Sequence, residues 1–512
     1  MRSIARYFSA LSMLSAGLLV PGLADGETQP FGIRVVDGET GRGVPMVELR
    51  TTNRIVLHTD SAGWAAFREP GLMDTEVFFH VEADGYERAE DGFGYRGVRL
   101  RTVPGETAEV TAGRTQAAER LYRLTGAGIY RDSVLLGEEV PLAEPLLNGR
   151  VMGQDSANAV VYNGKLYWFW GDTGRPEHPL GNFDASGAVA DLPEEGGLSP
   201  SEGVDYRYFV GEDGFSRGVV DLEEDGAKWL AGLFTIVDSE GRERMVAQCA
   251  RMRSLGELLE RVLVVWDDEV EAFVRMGGFD KDVALYPRGH AFAHTEDGQE
   301  YIYFASPYPD IRVPADWDAI QEQEAYEGFT LLEPGSRFDP EAPAIERDEA
   351  GEPVWAWKRN TPPVSTQEQR ALVADGHIDD GERWHRTFGG DNGAEVHLWN
   401  GSVRWNAYLG CWVMIANQMG GDPSFLGEVW LAAADAPEGP WPEAVKIATH
   451  RAHSFYNPAH HDFFDEEDGR IIYFEGTLSE MFSHEPTNIP RYDYNQLMYR
   501  VDLSDERLKG LR

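Results

Sequence analysis

The stretch Gly153-Gln154-Asp155-Ser156, followed by Lys165-Leu166-Tyr167-Trp168-Phe169-Trp170-Gly171-Asp172-Thr173, sets two carboxylates on adjoining strand-like segments. Asn163-Gly164 joins the segments, and an Asn-Gly pair between apolar runs is the strongest short-range hairpin signal. The outline of apolar strand, Gly turn and polar step recurs downstream. It returns in Glu300-Tyr-Ile-Tyr-Phe-Ala-Ser-Pro307, Cys411-Trp-Val-Met-Ile-Ala-Asn-Gln418 and Arg470-Ile-Ile-Tyr-Phe-Glu-Gly-Thr477, with Arg244-Met-Val-Ala-Gln-Cys249 as a weaker copy.

Five such units predict an all-β chain whose residues 125–512 form a five-bladed β-propeller with acids near its axis. A barrel or sandwich is the architectural alternative. Long insertions fall at about 174–225 and 310–392. From Pro314 to Gly390 the second is rich in Glu, Asp, Pro and Gln with little strand pattern. It reads as a surface loop, or as a lid whose end carries Trp355, Trp357, Trp384 and His385.

Residues 25–124 read as a small β-sandwich. Short alternating strands are punctuated at Asp37-Gly38, Thr59-Asp60-Ser-Ala-Gly63 and Ala83-Asp-Gly-Tyr86. Ahead of them, Arg2 and Arg6, the apolar run from Tyr7 to Val20 and Pro21-Gly-Leu-Ala24 read as a signal peptide over residues 1–24. A secreted or periplasmic location follows, and no later run is apolar and long enough to span a bilayer. The formal charge of −41 argues against nucleic acid, whose affinity rests on Lys and Arg. Cys249 and Cys411 form either a disulfide or two buried thiols.

The first segment resembles transthyretin-like, carboxypeptidase-regulatory domains. The likeness rests on Val36-Asp-Gly-Glu-Thr-Gly-Arg-Gly-Val-Pro45, Thr59-Asp60…Gly63…Phe67 and Ala83-Asp-Gly-Tyr86, and it implies a spacer or docking module. Over residues 148–503 the chain resembles five-bladed propeller glycoside hydrolases. Gly153-Gln-Asp155 with Gly171-Asp-Thr173 is similar to the opening blade of a family linked to bacterial D-arabinan hydrolysis. A looser likeness is to family 43 arabinanases and xylosidases, whose first blade begins with an Asp base. Ala432-Ala-Ala-Asp-Ala-Pro-Glu-Gly-Pro-Trp441 matches a recurring outer-strand ending, whereas the family 43 acid motif has no clear copy here. The resemblance implies a carbohydrate substrate and inversion. Only through it does an axial calcium enter; no other cofactor is expected.

Glycosidic cleavage needs one carboxyl to protonate the leaving oxygen and a second to activate water or attack the sugar. Asp155, at the start of an inner strand, is the expected base; a turn-capping role is its structural alternative. Asp172 either modulates the base or braces the Gly-Asp-Thr turn. Glu475 stands where its repeat partners have Trp170, Ala305 and Ala416. A carboxyl in an apolar strand is pushed toward the raised pKa that an acid needs. Glu428, in Phe-Leu-Gly-Glu-Val-Trp430, is the rival acid.

Polar clusters at expected inner-strand starts supply sugar-binding candidates: Arg288 and His290, Arg404 and Asn406, and Tyr456, Asn457 and His461. Arg491, Asp493 and Tyr494 reach the pocket from the last unit, or pack it closed. Several axial arginines suit a uronate or sulfated glycan. The alternatives are a non-catalytic glycan-binding propeller and a polysaccharide lyase using His290 or His461 with a Tyr. His460-His461-Asp462 is a poor metal site, because neighbours on a strand face opposite ways. HExxH, P-loop and Gly-x-Ser-x-Gly patterns do not occur.

Overall fold

The computed structural model describes residues 29–390, 392–451, 453–483 and 493–511. The expected signal peptide and Arg491 lie outside them. The described chain is nearly all β, with two short α-helices. None of its helices is long and apolar enough to cross a membrane.

Near the N-terminus two four-stranded sheets share one buried cluster. Phe31–Asp37 is central to the first, and Glu48–Thr51 with Glu76–Glu82 to the second. Strict alternation in Glu76–Glu82 sends Val77, Phe79 and Val81 inward against Ile33, Val35, Phe67 and Val110.

From Asn158 onward, antiparallel sheets follow in sequence order. The first holds Asn158–Tyr162, Lys165–Trp170, Ser186–Asp191 and Arg207–Tyr208. Next comes a ten-stranded sheet made of two mainly antiparallel groups, joined by one parallel bridge, Leu233–His290. Its first group, here called the second sheet, holds Ala227–Val237, Glu243–Ser254, Glu257–Asp267 and Ala272–Phe279. Its other group, the third sheet, starts with His290–Glu296, Gln299–Ala305 and Pro309–Pro314. The fourth sheet contains Leu398–Asn406, Cys411–Gln418, Val429–Ala434 and Glu443–Ala448. In the fifth, Ser454–His460, Ile471–Ser479 and Asn495–Asp502 are completed by Glu119–Arg123 from the far end of the chain.

All five segments read as repeats form the second strand of their sheet. Being covered on both faces, these strands are apolar without alternation. Each pair of consecutive sheets encloses its own cluster. Phe169 meets Val262 and Phe273 between the first and second sheets, while Trp168 meets Tyr473 and Met498 between the fifth and first. First strands also neighbour one another in order, and Asn457 returns to Ser156 through a 2.7 Å hydrogen bond.

The long insertions are more ordered than the sequence suggests. Residues 173–182 pair with Gly153–Gln154 in a three-stranded sheet. Glu327–Thr330 and Ala356–Arg359 widen the outer edge of the third sheet, and helix Thr366–Ala374 is capped reciprocally by Ser365 and Glu368. Trp355 and Trp384 pack on Phe329, and the Arg312 guanidinium stacks on Trp357. None of them lines the cavity described below, so the lid expected of Trp355, Trp357, Trp384 and His385 is replaced by a packed outer-edge subdomain. No disulfide joins Cys249 and Cys411, whose thiols are buried in different sheets; burial pushes the Cys249 thiol up to about 12.

Candidate active site

A cavity of about 1180 Å³ opens where the first strands of the first, second, fourth and fifth sheets begin. Asp155 and Asp172 sit side by side in it. Gln154 anchors their base: its buried amide donates to Ser186 Oγ at 2.7 Å and its carbonyl oxygen accepts from Tyr208 at 3.0 Å. Gly171 N donates to Asp155 O at 2.8 Å, and Asp172 N donates to Asp155 Oδ1 at 3.1 Å. A Cβ on Gly171 would stand 2.5 Å from Asp155 Oδ1, so only glycine lets the two segments approach this closely.

The two carboxyls live in different surroundings. Asp155 accepts from Tyr456 at 3.2 Å and also from Tyr494 and Ser156. Burial raises its pKa, and these donors pull against that rise by favouring the anion. Asp172 accepts from Trp229 Nε1 at 2.9 Å. Burial and the neighbouring Asp155 charge push Asp172 up to about 6. Burial and the same carboxylates hold the Tyr456 and Tyr494 phenols protonated far above their ordinary range.

Beside this pair runs a chain of neutral polar groups. Asn400 Nδ2 donates to Asn457 at 2.6 Å, Asn457 Nδ2 to Ser156 Oγ at 2.7 Å, and Ser306 to Asn400 at 3.1 Å. Ser156, Asn457 and Tyr494 have φ of 57°, 50° and 62°, a left-handed conformation that costs a non-glycine residue about 1 kcal/mol or more. Strained backbone at three cavity residues is the pattern of a built site.

Asp155, Asp172, Tyr456, Asn457 and Tyr494 line the cavity; the other described candidates do not. Glu475 is fully buried between the fifth and first sheets, accepting from Trp168 Nε1 and His461 Nε2, each at 2.7 Å. Its strand places it several residues from the cavity end, so the carboxyl that broke the apolar pattern is a cross-sheet polar link. Glu428 is buried against Lys446 at 2.7 Å and Thr449 at 2.8 Å, likewise away from the cavity. Neither of the two expected acids lines the cavity.

Arg404, Asn406 and His461 lie four to six positions along their strands from Asn400 and Asn457, on the order of 13 Å or more toward the opposite end. Arg404 pairs with Asp462 at 3.0 Å, Asn406 donates to Gly469 O at 2.7 Å, and Arg288 pairs with Asp310. Burial, with the Arg404 guanidinium nearby, holds His290 down at about 3. Around His290 the cluster offers imidazoles and a guanidinium, with Asp462 already paired to Arg404, whereas calcium takes oxygen ligands. Among the described residues no three His, Cys, Asp or Glu side chains converge as metal ligands would, and no histidine lines the cavity.

Sequence reasoning missed Ser156, Trp229, Trp399 and Asn400. Their one signal is position, at the polar-to-apolar step that opens a first strand.

No family model matches the chain, and no curated protein matches it. Solved structures that align with it include family 43 glycoside hydrolases. A GH43_1 enzyme from Xanthomonas citri complexed with xylose is 11% identical, with 69% of this chain and 88% of that chain covered and a TM-score of 0.33. An exo-1,5-alpha-L-arabinanase from a bovine ruminal metagenomic library is 10% identical, covering 69% and 94%, with a TM-score of 0.33. An exo-beta-1,3-galactanase from Phanerochaete chrysosporium with beta-1,3-galactotriose is 8% identical, covering 76% and 65%, with a TM-score of 0.36. Superpositions this loose carry no argument about the site's chemistry.

Proposed function

We propose that this chain is an exported glycoside hydrolase whose five successive sheets are the blades of a five-bladed propeller, preceded by a β-sandwich domain. One observation carries the activity: two adjacent carboxyls in one cavity, held in environments that separate their roles. Asp172, with its pKa pushed up to about 6, keeps a proton to donate in mildly acidic solution. Asp155, surrounded by donors that stabilise the anion, takes the base role.

In the proposed reaction Asp155 removes a proton from water as the water oxygen attacks the anomeric carbon. The bond to the aglycone oxygen breaks, and Asp172 delivers its proton to that oxygen. Asn400, Asn457 and Ser156 offer neutral donors and acceptors to sugar hydroxyls, and Trp229 and Trp399 offer faces to sugar C–H groups. The acid role thereby moves from Glu475 and Glu428 to Asp172. Direct attack by water gives inversion at the anomeric carbon.

An anionic glycan has less support than a neutral one. Among the described cavity residues the cations are Arg251 and Arg253, and each already has a carboxylate, Glu260 at 2.7 Å and Glu257 at 2.5 Å. The test is incubation with neutral, uronate-containing and sulfated polysaccharides and aryl glycosides, beside Asp155→Asn and Asp172→Asn. New reducing ends, with the α or β anomer first seen by NMR opposite to that of the substrate, and their loss by a factor of at least ~10² in either variant, are the expected result. Glycan retention without cleavage by the wild type would make it a binding module. Ultraviolet-absorbing unsaturated products would make it a lyase.

A further inference from the structure

The cavity is polar only at its floor. Its mouth is formed by apolar side chains that stand in solvent: Leu255 is 82% exposed, Phe482 54%, Phe183 50% and Met481 40%. Leu259 and Trp399 continue the same surface inward. Exposed apolar groups gathered on one rim, rather than scattered, mark a binding surface.

Two features show that this rim is built. The hairpin Glu243–Ser254 and Glu257–Asp267 carries strands of 12 and 11 residues, much longer than the 5 and 6 of Asn158–Tyr162 and Lys165–Trp170. Its extra length carries Leu255 out to the cavity mouth, on a tip clamped by the Arg253–Glu257 ion pair. Across the mouth, Phe482 has φ of 61°, a conformation a bulky residue adopts only where surrounding structure imposes it. It stands edge-on to Tyr456 at 5.7 Å, and Tyr456 in turn donates to Asp155. Ser454 holds the Met481 carbonyl, fixing the segment that presents this ring.

We propose that the mouth is a subsite for an apolar aglycone, an alkyl or aryl group joined glycosidically to the sugar bound at the floor. This rests on the hydrolase reading above. The polar floor takes the sugar, the paired arginines leave no cation for an acidic substituent there, and the rim removes the aglycone from water.

The experiment uses n-alkyl glycosides of both anomers of glucose, galactose and arabinose, from methyl to octyl. Alkyl leaving groups of nearly equal acidity make chain length report on contact rather than on bond chemistry. With the aglycone in the mouth, kcat/KM rises about fourfold per methylene, on the order of sixty-fold from methyl to butyl. Leu255→Ser and Phe482→Ser flatten that slope. As a sugar-free probe, 1-octanol binds the wild type with a negative heat-capacity change and binds Leu255→Ser at least ~10-fold more weakly. Thermal melting confirms that the variants are folded. Cleavage with no chain-length dependence overturns the apolar subsite while leaving the hydrolase standing. Octanol binding that Leu255→Ser weakens, with no glycoside cleaved, retains the subsite and removes the hydrolase. Absence of both octanol binding and a chain-length slope overturns the proposal.

Discussion

Asp172 carries the most testable chemistry at the scale of single residues. As the proposed acid, displaced to about 6, it would donate a proton below that pH and be spent above it, so kcat/KM is expected to fall as pH rises through about 6. On the acid side the rate falls as Asp155 gains a proton. Trp229 donates to Asp172 and so favours its anion. Trp229→Phe removes that donor and moves the alkaline limb of the profile upward. Stability runs in the same sense. A carboxyl whose folded-state pKa lies above its unfolded value stabilises fully at low pH and loses that contribution as pH rises through about 6. The full displacement corresponds to about 3 kcal/mol, and screening by solvent in the open cavity reduces this to about 1–2 kcal/mol. Asp172→Asn is therefore expected to melt higher at pH 7 by that amount and no higher at pH 4, measured by denaturant titration at both pH values.

Between elements, Glu475 shows how a buried acid can belong to packing. It links the fifth sheet to Trp168 of the first and to His461 at the end of a first strand. Glu475→Gln places an NH₂ among donors that expect an acceptor, and is expected to cost about 1–3 kcal/mol of stability. With the acid at Asp172, kcat/KM per folded molecule stays unchanged. A lost turnover with an unchanged melt would return Glu475 to catalysis. The sequence revealed that this carboxyl interrupts an apolar strand; which neighbouring sheet it faced was not legible, because the partners Trp168 and Glu475 are 307 positions apart.

At the scale of the whole molecule, the far ends of the chain meet in one sheet. Glu119–Arg123 pairs with Asn495–Asp502, buries Leu121 and Tyr122 completely or nearly so, and joins Arg123 to Asn495 at 2.8 Å. A chain beginning after residue 126 loses this strand and exposes the edge of the fifth sheet. It is expected to lose its cooperative melt. A chain beginning at residue 115 keeps the strand and melts cooperatively at lower temperature, because Arg120 loses the Pro45 and Asp84 carbonyls it binds. Calorimetry of both truncations checks the difference.

By itself the sequence determined the local order: the Asn163-Gly164 turn, the apolar second strands, and the Asp155–Asp172 pair across one hairpin. Turn chemistry and strand periodicity act over a few residues and survive in a linear reading. Only the tertiary structure decided which end of each first strand meets the cavity, and so that Asn400 and Asn457 reach it while Arg404 and His461 do not. It also decided that the insertion after Pro314 packs on an outer edge, and that the hairpin tip at Leu255 reaches the mouth. Those outcomes depend on how sheets far apart in sequence pack on one another, and no short-range pattern encodes that.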